Sequence, residues 1–164
     1  MPEINKSSRH SKITGDFAEV IVLYWLSKHG FECVRVDHTG IDLIAKNPIG
    51  NELMGISVKG RSQNPGTEKI SVNIPKDNFE KIDNACKAFN CVPYFAIFVD
   101  GANAINIFIL SKAKLLSILP TGKSIPVWKM GDSDLNRYKN DKEIISMEFK
   151  YETLNWWKKD FELK

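Results

Sequence analysis

Residues 92–100, VPYFAIFVD, are the stretch that most constrains how this chain can fold. A continuous apolar run of this length is typical of a strand buried on both faces, so other elements must cover both sides of its sheet. The chain has 164 residues, enough for one domain with a substantial core that needs no metal or disulfide. The run therefore predicts a central strand in a layered α/β domain.

Helical and extended patterns alternate along the rest of the chain. Three helices are predicted, at residues 13–29 (ended by Gly30), 75–89 (opened by Pro75) and 111–119. Further extended segments are predicted at 31–37, 41–47, 52–62, 70–74, 104–110 and 143–151. The first three strands follow one another closely, which favours an antiparallel meander. The predicted fold class is an α/β sandwich with a central mixed sheet flanked by helices.

The predicted organisation is a flexible basic arm at residues 1–12 and a single domain at 13–164. Within that domain, 13–110 form the core and 111–164 a C-terminal extension. Three cysteines with no CxxC pair argue against a disulfide scaffold and indicate a reducing cytoplasm. The longest apolar run, residues 20–26, is far shorter than the roughly 20 residues that cross a bilayer, so no membrane association is expected.

Two charged residues interrupt apolar strands. Asp42 lies on the strand face opposite Ile41, Leu43 and Ala45, and Lys59 shares a face with Ser57 and Arg61. An unpaired buried charge costs several kcal/mol, so each needs a partner, a metal or water. One interpretation is a direct Asp42–Lys59 salt bridge, and the other is a chemical site at the sheet edge.

Glu19 is a second acidic candidate, on the first predicted helix. It precedes residues 20–26, where the helix is apolar almost all round and is predicted to be well buried. If the helix begins at Asp16, Asp16 and Glu19 form a capping box. If Thr14 is the N-cap, Glu19 lies too deep for that role. The sequence leaves both interpretations open.

Two carboxylates and a lysine that converge at a sheet edge suit Mg²⁺-dependent cleavage of a phosphodiester. Carboxylates bind a hard cation through oxygen. The cation polarises the phosphate and activates a water, and the lysine orients that water or stabilises the developing charge.

The series TGDFAEVIVLYWLSKHGFECV…GIDLIA…MGISVKGRS resembles the PD-(D/E)xK nuclease superfamily, which includes restriction endonucleases, Mrr-type enzymes and archaeal Holliday-junction resolvases. The resemblance covers about residues 13–100 and implies a restriction-endonuclease-like α-β-β-β-α-β core. Glu19, Asp42 and Lys59 match the family's helical glutamate, strand aspartate and lysine. Catalysis with Mg²⁺ or Mn²⁺ is what the resemblance implies for them.

Ser57 departs from the family pattern, because the family has its second carboxylate at this position. A serine hydroxyl gives a cation no negative charge, so Glu19 would supply the second carboxylate, with Asp37 in reserve. The resemblance also implies that the backbone carbonyl of Val58 is a metal ligand. Ser57 itself would hydrogen-bond a water or the phosphate.

Several basic residues are candidate DNA contacts. Residues 59–76 carry a local excess of positive charge, which suits a polyanion, although solvated lysines are the commoner explanation for such a count. Arg61 is in phase with Lys59, Lys12 lies in the arm, and Lys76 opens the second helix. Trp156 and Trp157 would stack bases or, more simply, pack on the body of the domain.

Three functional hypotheses follow. The first is a metal-dependent nuclease that acts on DNA. The second is a catalytically inactive module of the same fold that binds DNA or a protein. The third is an interaction subunit that forms a homodimer through an apolar edge at residues 105–110 and the tryptophan-rich tail.

Overall fold

The structure is a computed structural model that describes residues 5–64, 66–119 and 125–154. Its helices are α1 (His10–Lys28), α2 (Asp77–Phe89), α3 (Lys112–Ile118) and α4 (Asp132–Asn140). Its strands are β1 (Glu32–His38), β2 (Ile41–Lys46), β3 (Leu53–Ser62), β4 (Val72–Asn73), β5 (Val92–Asp100), β6 (Ala104–Ser111), β7 (Val127–Trp128) and β8 (Ile145–Lys150).

A six-stranded mixed sheet in the order β1-β2-β3-β5-β6-β8 forms the centre of the fold. Strands β1, β2 and β3 form the antiparallel meander that the sequence predicts. β3 and β5 pair in parallel over nine consecutive residues, and α2 makes the crossover that a parallel pair requires. β6 and β8 extend the sheet in antiparallel fashion, and β4 pairs with β7 separately. The predicted fold class is confirmed.

The sheet separates two apolar cores. On one side, α1 contributes Ala18, Val22 and Leu26, which pack against the sheet. On the other side, α2 packs through residues that include Phe79 and Ile82. β5 supplies both cores alternately, and its residues 95–99 are all at most 2% exposed. The predicted burial of this strand on both faces is confirmed.

Helix α1 begins at His10, three residues earlier than the sequence predicts. Residues 10–12, assigned to the flexible arm, therefore form its first turn. Its N-cap is Arg9, so Asp16 and Glu19 both lie inside the helix and cannot form a capping box. Thr14 is not the N-cap either, because its hydroxyl donates to the His10 carbonyl at 2.7 Å. Both proposed helix starts are wrong.

Only one side of α1 is buried. The opposite side carries an apolar stripe whose side chains are 45–58% exposed: Ile13, Phe17, Val20 and Tyr24. The prediction that the helix is buried almost all round over residues 20–26 is therefore wrong. The reason is that the sheet packs against the face that carries Ala18, Val22 and Leu26; of the stripe, Phe17 meets Phe98 of β5 edge-on, with ring centroids 5.6 Å apart.

The C-terminal extension contributes two elements that the sequence does not predict, β7 and α4. Tyr138 of α4 stacks on Trp128 of β7, with ring centroids 3.9 Å apart. β8 pairs with β6, so residues 105–110 do not form the free edge assumed for the homodimer hypothesis. Trp156 and Trp157 lie outside the described residues. In the described part of the chain, no helix has the length and apolar character needed to cross a membrane.

Candidate active site

Asp42 lies where β2 and β3 stop pairing. The pairing ends at Leu43 and Ile56, whereas β3 continues to Ser62 beside β5. Beyond that point, Asp42 Oδ2 accepts a hydrogen bond of 2.6 Å from the Val58 N–H. The N–H and C=O of one strand residue point to the same side, so the Val58 carbonyl faces this edge as well. The aspartate side chain thus replaces the neighbouring strand as the partner of β3.

Lys59, the residue after Val58 on β3, extends from the sheet towards α2. Its Nζ donates to Asn78 Oδ1 at 2.8 Å, and Asn78 Nδ2 donates to the Pro75 carbonyl at 3.2 Å. Asn78 is in the first turn of α2, so this helix fixes the lysine head. The interpretation of Asp42 and Lys59 as a direct salt bridge is wrong, because each head group has a different hydrogen-bond partner.

The two groups are nevertheless electrostatically coupled. Burial raises the pKa of Asp42 above its ordinary value, and the charge on Glu19 adds to the rise, whereas the Val58 N–H and Lys59 oppose it. Burial lowers the pKa of Lys59, and the Asp42 carboxylate opposes that shift. Desolvation dominates both, and it disfavours the charged form of each. Asp42 is thus within electrostatic reach of both Glu19 and Lys59.

Glu19 faces the meander from α1. Its Oε2 accepts from Arg35 Nη2 of β1 at 2.7 Å, and the two side chains are 25% and 45% exposed. An ion pair this exposed contributes little to stability, so Arg35 mainly orients the carboxylate. The charge on Arg35 also opposes the rise that burial causes in the pKa of Asp42.

Two glycines set the spacing of the elements that carry the site. A Cβ at Gly60 would lie 3.2 Å from Ala18 Cβ, so the absence of a side chain lets α1 approach β3. Gly40, in the turn before Asp42, has φ +101°, and a Cβ there would lie 2.2 Å from the Lys81 carbonyl oxygen of α2. Each glycine therefore holds a site-bearing segment against a helix.

Ser57 is buried, at 3% exposed, and pairs in register with Phe95 of β5. It carries no charge at the position where the resemblance noted in the sequence implies a second carboxylate. Asp37, the reserve acid, is exposed near the end of β1.

The candidate DNA contacts lie at different places. Arg61 is exposed near the end of β3, two residues beyond Lys59. Lys12 is exposed on the first turn of α1 and pairs with Asp16 at 3.1 Å. Lys76 is exposed at the N-cap of α2, two residues before Asn78. No single surface among the described residues is shown to unite the three.

Asn78 and Arg35 are the site residues that the sequence does not single out. Asn78 falls in the first turn of a predicted helix, where a polar residue is expected anyway. Arg35 alternates with apolar residues on β1, as any solvent-facing residue would. Their roles depend on which element packs against which, and neither pattern contains that information.

The oxygen atoms at this edge suit a hard divalent cation. Mg²⁺ is usually held by one or two carboxylates, with water and substrate phosphate completing its shell. Glu19, Asp42 and the Val58 carbonyl are the donors that the sequence predicts for such a shell. Among the described residues, no three His, Cys, Asp or Glu side chains are grouped so as to hold a metal by themselves. The predicted donors, two carboxylates and one carbonyl, are a partial shell of the kind that water and substrate complete around Mg²⁺.

The element order and the mixed sheet define a restriction-endonuclease-like fold, which confirms at the level of the fold the resemblance seen in the sequence. Among solved structures, the chain is similar to Hjc, a Holliday junction resolvase from the archaeal hyperthermophile Archaeoglobus fulgidus. That similarity has a TM-score of 0.53 and 20% identity, and it covers 73% of this chain and 90% of the resolvase.

A second similar structure is a restriction endonuclease in complex with substrate DNA, with a TM-score of 0.43 and 10% identity, covering 96% of this chain and 80% of that one. No protein family model matches the chain. No curated protein matches it either.

Proposed function

We propose that this protein is a divalent-metal-dependent nuclease that hydrolyses phosphodiester bonds of DNA. The observation that carries the proposal is the pair formed by Asp42 and Lys59. Both are half-buried at one edge of β3, and the pKa of each is displaced towards its neutral form. Desolvated, mutually coupled ionisable groups of opposite type are concentrated at functional sites.

Glu19, Asp42 and the Val58 carbonyl would hold the cation, which is Mg²⁺ or Mn²⁺. When bound there, it supplies Lewis-acid polarisation of the phosphate and a more acidic water. Arg35, which pairs with Glu19, would be a further contact for a phosphate oxygen, because Arg forms bidentate contacts with phosphate.

Lys59 would hold the attacking water and stabilise charge that develops on the phosphate. Its lowered pKa brings the ammonium closer to proton exchange at neutral pH than an ordinary lysine. Asn78 is a positioning residue, since its contact with Lys59 fixes the direction of the ammonium. Ser57 offers a hydroxyl in place of a carboxylate and adds no charge to the site.

DNA as the substrate class is supported by charge and by fold. Residues 59–76 contain four basic side chains and a single acidic one, Glu68. Such a local excess attracts a phosphate backbone. The similar solved structure is named as a Holliday junction resolvase, so DNA cleavage is a known use of this fold.

The test is cleavage of plasmid, branched and single-stranded DNA with Mg²⁺ or Mn²⁺. We expect cleavage by the wild type and its loss in Lys59→Ala. Lys46→Ala, which removes the same charge from an exposed position at the far end of β2, should cleave like the wild type. If high concentrations of wild-type protein cleave none of these substrates with Mn²⁺, the nuclease proposal is wrong.

One observation favours a second candidate, a silent DNA-binding module of the same fold. Ser57 removes a carboxylate from the site, and Glu19 is already paired with Arg35. Calorimetric titration with Mn²⁺ separates the two candidates. A nuclease should bind Mn²⁺ as the wild type and lose that binding in Asp42→Asn. A silent module should bind Mn²⁺ weakly both as the wild type and as Asp42→Asn.

A further inference from the structure

A cleft of about 510 Å³ lies beside the candidate active site, at the end of β3. The segment before α1 and its first turn form one wall, and the loop after β3 forms the other. Lys6, His10 and Arg61 bring basic side chains to this cleft. It shares β3 with the candidate active site, yet Asp42, Lys59 and Glu19 do not line it.

A hydrogen-bond network fixes the first wall. Lys6 Nζ donates to the Ser62 carbonyl at 2.9 Å and to Ser62 Oγ at 3.1 Å. Ser62 Oγ donates its one hydrogen to the Asp100 carboxylate at 3.1 Å, so it must accept from His10 Nε2 at 3.0 Å. The N-terminal segment is thus held on the sheet, and the third N–H of Lys6 is left for a ligand.

The second wall is also braced. The backbone N–H of Gln63 donates to the Asp100 carbonyl at 2.7 Å. The Gln63 side chain, 7% exposed, donates through Nε2 to the Ile70 carbonyl at 2.8 Å. These contacts tie the two ends of the loop together. The cleft is therefore a built feature and not a gap between loose segments.

The lining selects an anion that is rich in oxygen. Serine, threonine and asparagine side chains supply hydroxyl and amide donors, and Ile70 is the only aliphatic one among the described lining residues. No described lining residue is acidic. Asp100 lies behind Ser62, where a second hydrogen bond, from the Tyr151 hydroxyl at 2.7 Å, also engages it. Three basic side chains without a lining acid favour phosphate over a neutral or apolar ligand.

We infer that this cleft binds a phosphodiester of the DNA backbone that flanks the one at Lys59. The inference rests on the proposed function, since it assigns the contacts of the same substrate. Arg61 lines the cleft and lies two residues beyond Lys59 on β3, between the two places. At about 3.3 Å per strand residue, Ser62 lies about 10 Å beyond Lys59. This exceeds the roughly 3.4 Å of helix axis that each phosphate of one DNA strand occupies, so a cleft at Ser62 would contact a different phosphate from the one at Lys59.

The test measures the binding of a short fluorescein-labelled DNA duplex by anisotropy, in EDTA and over a series of KCl concentrations. The variant is Lys6→Ala with Arg61→Ala. The matched control is Lys28→Ala with Lys46→Ala. Both lysines are exposed; Lys28 is the last residue of α1 and Lys46 the last residue of β2, whereas the cleft lies at the first turn of α1. Each pair lowers the net charge from +3 to +1, so a general charge effect acts equally on both.

Each lost phosphate contact lowers the slope of log K against log salt by about 0.9. The cleft variant should therefore lose about 1.8 of the slope and bind about 60-fold more weakly at about 0.1 M salt, taking the ionic contribution as zero at 1 M. The control should keep the wild-type slope. With metal present, the cleft variant should raise KM and leave kcat unchanged, because it removes binding common to ground and transition states.

Equal slopes for the cleft and control variants would overturn the inference, whether or not the wild type cleaves DNA. If the slopes differ as expected but no substrate is cleaved, the cleft assignment stands and the nuclease proposal fails. Circular dichroism of both variants checks that the fold is intact.

Discussion

Replacement of Asp42 separates its two roles, as an acceptor for a backbone N–H and as a buried charge. Asp42→Ala removes both the acceptor and the charge. Asp42→Asn keeps an oxygen that can accept from the Val58 N–H and removes only the charge. The two variants together thus measure the hydrogen bond and the desolvated carboxylate independently.

The magnitude follows from the contact with Val58. A half-buried N–H left without an acceptor costs about 1–3 kcal/mol, so Asp42→Ala should be less stable than Asp42→Asn by that amount. Unfolding entropy is about 2.1 cal/mol/K per residue, or about 0.34 kcal/mol/K for 164 residues. The difference corresponds to about 3–9 °C in Tm. Asp42→Asn should be at least as stable as the wild type at neutral pH, because it no longer buries a charge.

The pH dependence has a definite sign. The pKa of Asp42 is raised in the folded state above its ordinary value of 3.8. Its contribution to stability is therefore fully present below the unfolded pKa and is lost as the pH rises through the folded pKa. The free energy of unfolding of the wild type, relative to Asp42→Asn, should fall as the pH rises from about 4 to 7.

Urea unfolding followed by circular dichroism, in EDTA, measures all three proteins across this range. Two results would refute the reasoning. If Asp42→Ala matches Asp42→Asn, the bond to Val58 does not hold the edge of β3. If the wild type gains stability relative to Asp42→Asn as the pH rises, the carboxyl is not desolvated.

Two further substitutions test the site and its frame. Ser57→Asp places a carboxylate at the position where the nuclease pattern has one. Mn²⁺ should therefore bind this variant about tenfold tighter than Ser57→Asn, and stabilise it by about 1.4 kcal/mol more in thermal melts. Equal stabilisation of the two variants would contradict a metal at this edge. Gly40→Ala should lose at least about 2 kcal/mol more stability in urea than Gly50→Ala. Both glycines have positive φ, but only at Gly40 would a Cβ meet backbone, the Lys81 carbonyl oxygen; equal losses would show that the turn can move away from α2.

The sequence predicts the sheet well because strand signals are local. The apolar run of β5 and the three meander strands could be recognised from patterns within each segment. The start of α1 could not, since Arg9 caps the helix without a side-chain hydrogen bond and leaves no recognisable N-cap signal. Helix α4 is not predicted because its sequence, DSDLNRYKN, is polar, and its position depends on packing of Tyr138 against Trp128 of the preceding strand and Phe108 of β6.

The candidate site was only partly predictable for a related reason. Strand phase and family resemblance identify Asp42 and Lys59 from their own strands. The partners that hold them, Val58 N–H and Asn78, depend on where β2 stops pairing and on how α2 sits over β3. A pattern within one strand contains neither fact, and strand phase alone favours a direct salt bridge between Asp42 and Lys59.

The hairpin between β2 and β3 has a consequence for how relatives of this chain can be sought. The loop of this hairpin, residues 47–52, connects Lys46 to Leu53 at one end of the β2–β3 ladder. The candidate site lies beyond the other end of that ladder. Insertions in the loop would move neither Asp42 nor Lys59, and each doubling of its length costs only about 0.6 kcal/mol. One residue inserted between positions 57 and 59 would instead turn the lysine to the other side of the sheet. Searches should therefore allow a variable gap after the aspartate and keep the short spacing before the lysine strict.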